Sequence, residues 1–338
     1  MTISQLLPSI VAVVVAALLS AGIIWAIRPW LLQYALARPN ARSSHRVPTP
    51  QGAGVAVIAA TLLVAGAIAA YVTVPALNIP PAIFGAALFT ALVGFADDIK
   101  STPVVARLLL QGLAVAAVLF TTSDDVRISE ACPLWIERGM LLLAGLWFVN
   151  LVNFMDGLDW MTVAEVVPIT GALVLLGWFG DFPVEATTVA AALCGAMLGF
   201  APFNRPVAKV FLGDVGSLPI GLLLGWCLLQ LAYNQHLAAA LLLPLYYLAD
   251  ATVTLLRRLV RREPFWAAHR SHFYQRATDN GFTVLRVVSE VFALNVVLAV
   301  LAIASTRTQS YGIDVILTIV GGLGVALTMY RFSKPLTA

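Results

Sequence analysis

Charge is scarce in this chain: 11% of its 338 residues are Asp, Glu, Lys or Arg, against roughly 25% in ordinary soluble domains. That shortage, with 60% apolar residues, excludes a water-exposed fold. The net charge of +3 is small, and no basic stripe with interleaved aromatics occurs, so no nucleic acid is expected as a partner. Cysteine is nearly absent. The three present are an odd number without metal-ligand spacing, two of them (Cys194 and Cys227) inside apolar runs and Cys132 in a polar one, which excludes a disulfide framework. Internal repeats of the kind secondary transporters carry are also missing. No polar stretch is long enough for a separate soluble domain, since the longest are 28–51 and 257–284.

What the chain has instead is long apolar runs, of about the length a helix needs to cross a ~30 Å hydrocarbon layer. Eleven are read, near 6–27, 52–73, 79–95, 104–121, 139–155, 163–180, 187–203, 216–233, 237–256, 285–304 and 313–331. Hydrocarbon offers no partner for a free amide, so each span is expected to be helical. The fold class is an all-α polytopic membrane protein. The first run lacks a basic start and a small-residue cleavage site, so it is expected to be retained as a span. With eleven spans and the N-terminus outside, all Lys and Arg except Arg127, Arg138 and Arg307 fall on the inner side. The positive-inside rule therefore puts the N-terminus in the periplasm and the C-terminus in the cytoplasm. Residues 1–338 then form one transmembrane domain, with inner loops 28–51, 96–103, 156–162, 204–215 and 257–284.

Those loops hold the chemistry. Asp97 and Asp98 stand side by side at the end of a span. Two adjacent carboxylates repel and lose hydration there unless a cation sits close. Mg²⁺ suits them, because it takes oxygen ligands from one or two carboxylates and the rest from water and substrate phosphates. In the next inner loop Asn153, Asp156 and Asp159 recur every three residues, so they share a face if the helix continues, and Gly157 permits it to unwind. The stretch Lys209-Val210-Phe211-Leu212-Gly213-Asp214-Val215-Gly216-Ser217 reads as a tight turn presenting Asp214 beside a helix N-terminus, with Lys209 near enough to attract phosphate. His269-Arg270-Ser271-His272 lacks a third soft ligand for Zn²⁺ and reads better as hydrogen-bonding to pyrophosphate, with Arg270 and Arg276 as similar partners. A basic, hydroxyl-rich patch holds Arg42, His45 and Arg46. Any one of these motifs could be a polar helix end. Together they fall on one side of the membrane, while the outer loops carry only scattered acids such as Asp124, Asp125 and Glu130. A Mg²⁺-phosphate site at the inner surface is expected.

Taken in order, Arg42-Ser43-Ser44-His45 with Pro48-Thr49-Pro50, Asp97-Asp98, Asn153 to Asp159, Pro206 to Ser217 and His269 to His272 resemble the polyprenyl-phosphate N-acetylhexosamine-1-phosphate transferases. That family includes the muramoyl-pentapeptide transferase of peptidoglycan synthesis. The histidine loop is more similar to the branch that initiates O-antigen and related polysaccharides. The resemblance implies transfer of a sugar 1-phosphate from a UDP-N-acetylhexosamine to undecaprenyl phosphate, with release of UMP, in the bacterial inner membrane and at its cytoplasmic face. It implies Asp214 and Asp97 as ligands of Mg²⁺, with Mn²⁺ as a substitute. Asp97 and Asp98 serve the metal and the lipid phosphate; Asn153, Asp156 and Asp159 serve the nucleotide sugar; His269 and His272 serve the pyrophosphate. Lys209, Arg107, Arg42, His45 and Arg270 join them as cations or donors around the substrates, and a homodimer is the implied assembly. The alternatives are a membrane transporter, which calls for ionisable groups inside several spans, where Asp250, Glu165 and Glu290 come nearest, and a non-catalytic protein that binds lipid-linked sugars.

Overall fold

The computed structural model describes residues 3–37, 48–71, 77–264, 269–308 and 310–336. Helix dominates. In chain order the elements are α1 (Ile3–Tyr34), the short strands β1 (Leu36–Ala37) and β2 (Thr49–Pro50), α2 (Gly54–Tyr71), α3 (Pro81–Ile99), α4 (Val104–Leu119), α5 (Leu134–Met155), α6 (Met161–Phe179), α7 (Val184–Phe200), α8 (Asp214–Tyr233), α9 (Leu237–Leu242), α10 (Leu245–Val260), α11 (Phe273–Asp279), α12 (Val284–Thr308) and α13 (Tyr311–Phe332). Among the described residues nine helices are long and apolar enough to span a membrane, which makes the chain a multi-pass membrane protein.

Proline marks where many of these helices start. Pro80, Pro103, Pro133, Pro183 and Pro244 each stand immediately before a helix, where a fixed φ suits the first turn and the missing N–H would have had no partner. At the far end of α6, Gly180 adopts φ 88° and ends the helix, a conformation that carries no penalty only for glycine.

Two of the eleven expected spans differ from the long helices. The run 104–121 contains a 16-residue helix, α4. The run 237–256 is broken into α9 and α10 at Pro244, which has no N–H to donate to the turn before it and leaves helical geometry at φ −94°, ψ 16°.

Burial separates centre from rim. In α7 and α8, 78% and 83% of the best apolar window is covered by protein, against 22% in α1 and 17% in α13. The outer helices thus face lipid, with Leu18, Leu323 and Leu327 among their exposed side chains. α7 packs on α1, α2 and α6, while α8 packs on α3 and α5. Small residues bring these backbones together, as is usual in lipid where no hydrophobic gain drives helix pairing. A Cβ on Gly195 would stand 2.1 Å from the Val13 carbonyl oxygen, and one on Gly199 would stand 2.2 Å from that of Ala17. The cysteines are unpaired, Cys194 and Cys227 being buried.

Candidate active site

The end of α3, the start of α4, the end of α5 and the start of α8 meet at one end of the bundle. Close approach of α3 to α8 is set by Gly94: a Cβ there would lie 2.2 Å from the Asp214 carbonyl oxygen. Because Gly94 is one helical turn before Asp97 and Asp98, that contact brings both carboxylates to the first turn of α8.

Their roles then diverge. Asp98 accepts the backbone N–H groups of Asp214 (2.9 Å) and Val215 (3.0 Å) and the Gln51 side-chain amide (2.5 Å). It caps α8 from a neighbouring helix, satisfying two of the amides every helix leaves free at its start. Asp97 accepts the Thr102 N–H at 2.6 Å and Arg107 Nη1 at 2.8 Å. The same Nη1 lies 3.9 Å from Asp214 Oδ2, so one guanidinium stands between the Asp97 and Asp214 carboxylates. Asn153, from the last turn of α5, donates to Asp214 Oδ1 at 2.7 Å and to Ser217 Oγ at 2.8 Å. Residues far apart in sequence thus share one hydrogen-bonded cluster. Its Asp97, Arg107 and Asp214 side chains remain partly accessible.

The expected common face of Asn153, Asp156 and Asp159 does not form. α5 ends at Met155, Asp156 leaves helical backbone at φ −83°, ψ 50°, and Trp160 turns left-handed at φ 64°, so the three side chains diverge. Asp156 accepts the Thr162 hydroxyl. Burial pushes its carboxyl up to about 6; the Thr162 bond opposes this, and the charges of Asp159 and Asp98 add to it. Asp159 is buried and accepts the Ala208 N–H at 3.0 Å, tying its loop to the one that carries Lys209, whose own side chain is exposed. That second loop also pairs with β2 and the start of α2, where the Phe211 N–H donates to the Pro50 carbonyl and the Gly54 N–H to the Leu212 carbonyl.

The histidine loop packs on the same region. The Tyr274 hydroxyl donates to the Phe154 carbonyl at 3.0 Å, and burial raises its phenol well above the usual range. His272 lies with its ring 6.5 Å from that of Phe154 and stacked at 5.0 Å on His269. His269 bonds Ser271 through Nδ1. Arg270 donates to Thr278 at 2.8 Å and pairs with Asp279 at 3.3 Å, bracing α11. Arg42 and His45 lie outside the described residues.

Gln51, Thr102, Thr162, Ser217 and Asp250 are the partners that sequence reading did not assign to the site. Their signal is weak, since each is a common residue whose meaning depends on a neighbour distant in sequence. Among the described residues no three His, Cys, Asp or Glu side chains form a self-contained metal cage. The two partly accessible carboxylates of Asp97 and Asp214 fit a hard ion that completes its shell from substrate and water, not one that needs a full protein cage.

Residues 80–232 match the family model described as glycosyl transferase family 4, a segment that includes the Asp97, Asn153 and Asp214 cluster. The chain is 26% identical over 237 residues to a phospho-N-acetylmuramoyl-pentapeptide-transferase of Brachyspira hyodysenteriae, covering 62% of this chain and 60% of that protein. It is 25% identical over 281 residues to a probable undecaprenyl-phosphate N-acetylglucosaminyl 1-phosphate transferase of Bacillus subtilis, covering 80% and 76%. A phospho-N-acetylmuramoyl-pentapeptide-transferase of Mycobacterium ulcerans matches at 31% over 145 residues, covering 37% and 40%. The chain thus spans 60% of the Brachyspira protein's length. The match to glycosyl transferase family 4 thus lies in residues 80–232, and the Bacillus subtilis relative extends the similarity over 80% of this chain.

Proposed function

We propose that this protein transfers an N-acetylhexosamine 1-phosphate from a UDP-sugar to undecaprenyl phosphate, giving undecaprenyl-diphosphate-sugar and UMP. The single observation that carries the reading is the convergence of Asp97, Arg107, Asn153 and Asp214 at one end of the bundle. Two anionic phosphates must approach each other in this reaction, so the site needs cations that can turn from carboxylate to phosphate. Arg107 is such a cation. Asp97 and Asp214 would hold Mg²⁺, or Mn²⁺ in its place, which when bound offsets the charge on the donor's pyrophosphate and on departing UMP.

The chemistry is an in-line displacement. A lipid phosphate oxygen attacks the sugar-bearing phosphorus, a new P–O bond forms, the bond to the UMP phosphate breaks, and UMP leaves with the electron pair. The attacking phosphate is already anionic near neutral pH, so little proton transfer is needed, and Asp97 is the candidate to take a residual proton. Fixed charges and dipoles do most of the work. Asn153 holds Asp214 in position, while the loops of Asp156 and Asp159 frame the nucleotide sugar.

The distribution of Lys and Arg supports a cytoplasmic site in the bacterial inner membrane with the N-terminus outside. The form of the histidine loop supports a role in starting O-antigen or a related cell-surface polysaccharide. A panel of UDP-N-acetylhexosamines incubated with undecaprenyl phosphate, Mg²⁺ and purified protein in detergent tests the reading, by UMP release and the mass of the lipid product. One of the sugars is expected to give both. Folded protein that releases no UMP with any of them, or an Asp214→Asn variant that turns over at the wild-type rate, would overturn it.

A further inference from the structure

Asp250 sits on the buried face of α10, an amphipathic helix with Arg257 and Arg258 in its last turn, and has no exposed surface. Its carboxylate is nevertheless crowded with donors. Oδ1 accepts the Phe273 N–H at 3.0 Å and the Thr254 hydroxyl at 3.2 Å, Oδ2 accepts the Tyr274 N–H at 3.1 Å and the Tyr246 hydroxyl at 3.2 Å, and His272 Nδ1 lies 3.2 Å from Oδ1. Phe273 and Tyr274 open α11, so Asp250 supplies from another helix the cap that α11 lacks locally. One side chain therefore fixes both the backbone of the histidine loop and the ring at its start.

The ring contact has a chemical consequence. A carboxylate that accepts two backbone N–H groups has only acceptor capacity to offer, so His272 Nδ1 must carry the proton between them. Which nitrogen of a histidine is protonated is set by the bond its other nitrogen makes. Nε2 is then the nitrogen available to a ligand, and no described side chain bonds it. A lone pair facing a phosphate oxygen would be repelled. To serve pyrophosphate, Nε2 must arrive with a proton of its own, and the buried Asp250 carboxylate is the charge that supports the resulting imidazolium.

We propose that Asp250 is a positioning residue for the transfer reaction, which holds the histidine loop against α5, fixes His272 with Nδ1 protonated and leaves Nε2 to meet the phosphate of the nucleotide. This rests on the UDP-sugar reading for its ligand and on geometry alone for the tautomer. It also explains why a fully buried acid lies in α10 without a transport pathway.

The test is ¹⁵N NMR of the full chain in detergent with ring-labelled histidine. Only four histidines are present, and His272→Gln identifies the signal. At pH 8.5 the free protein is expected to show His272 protonated at Nδ1 and bare at Nε2. Added UMP is expected to give a ring protonated at both nitrogens. Asp250→Asn, whose amide can donate to Nδ1, is expected to move the proton to Nε2, and to lower kcat about 10- to 100-fold, as the loss of an outer-shell partner commonly does, with KM for the UDP-sugar within about threefold. A wild-type ring with its proton on Nε2 overturns the proposal, even where Asp250→Asn fails to fold. An Asp250→Asn protein with the wild-type ring pattern overturns it as well. Failure of UMP to bind wild-type protein, followed by equilibrium dialysis, would instead overturn the nucleotide-sugar reading and the phosphate role of Nε2, and leave the tautomer result to decide the role of Asp250.

Discussion

The Asp98 carboxylate accepts the backbone N–H of Asp214 at 2.9 Å. Through that bond and its neighbour at Val215, Asp98 holds in place the first turn of the helix that carries Asp214, while Asp97, the residue just before it, faces Arg107. The two acids should therefore fail differently. Asp98→Ala leaves two helix-start amides without their cap, a loss of about 1–2 kcal/mol, and is expected to lower the thermal midpoint as well as UMP release. Asp97→Asn keeps an acceptor and is expected to lose at least about 100-fold in turnover, the scale of a transition-state electrostatic contact, with the midpoint nearly unchanged. Thermal unfolding and UMP release measured on both variants decide this; equal losses of stability would sink the division of roles.

Gly94 offers a second check on the same junction. A methyl group there meets backbone, not a movable side chain, since the Asp214 carbonyl oxygen would be 2.2 Å away. α3 and α8 must then separate, at a penalty of about 1–3 kcal/mol or more. Gly94→Ala is expected to unfold several degrees early and to lose most activity. Gly85→Ala, in the same helix with open space around it, is the control and is expected to match wild type in both. Comparable behaviour of the two variants would show that the helix contact does not position the site.

Asp156 gives a prediction in pH. Its carboxyl titrates near 6 in the folded protein, above the ordinary value of 3.8, so between those values the native state holds a proton that the unfolded chain has released. Stability from this group is complete below about pH 4 and is lost as pH rises through 6, by up to about 3 kcal/mol. Asp156→Asn cannot ionise. The thermal midpoint of metal-free wild-type protein is expected to fall relative to that variant between pH 4.5 and 7 and to run parallel to it above. Parallel curves across the whole range would exclude a raised Asp156.

The helices could be read from the sequence because a span needs only length and apolarity, both of which are local. The break at Pro244 was within reach of the same reasoning, but the apolar run continues through it and hides the division. Around the site, the side of the membrane on which each acid falls foretold that Asp97, Asn153 and Asp214 would share one end of the bundle. What each acid does there was not foretold. The three-residue spacing of Asn153, Asp156 and Asp159 suggested a common helical face, yet the spacing is informative only while the helix lasts, and α5 stops at Met155. Asp98 and Asp250 cap helices that begin more than 100 and more than 20 residues later in the chain. No local pattern marks a cap delivered across space, so the sequence offers Asp98 only as half of an acidic pair and Asp250 only as one of the few acids near the interior of a span.

Arg107 should separate metal binding from turnover. It stands between Asp97 and Asp214, 2.8 Å from one and 3.9 Å from the other, so a cation entering between those carboxylates competes with a guanidinium already there. If it then turns to the phosphates, it stabilises the charge that develops as UMP leaves. Replacing it with a neutral side chain removes the competitor and the helper together. Arg107→Gln is expected to reach half-maximal rate at a Mg²⁺ concentration several-fold lower than wild type, while its rate at saturating Mg²⁺ falls by about 100-fold or more. Stripping either protein with EDTA is expected to stop turnover, and added Mg²⁺ or Mn²⁺ to restore it. A Mg²⁺ titration of UMP release in both proteins reads the two effects separately. An unchanged half-saturation point would mean that the ion does not meet Arg107 at these carboxylates, and a preserved maximal rate would remove Arg107 from the phosphates.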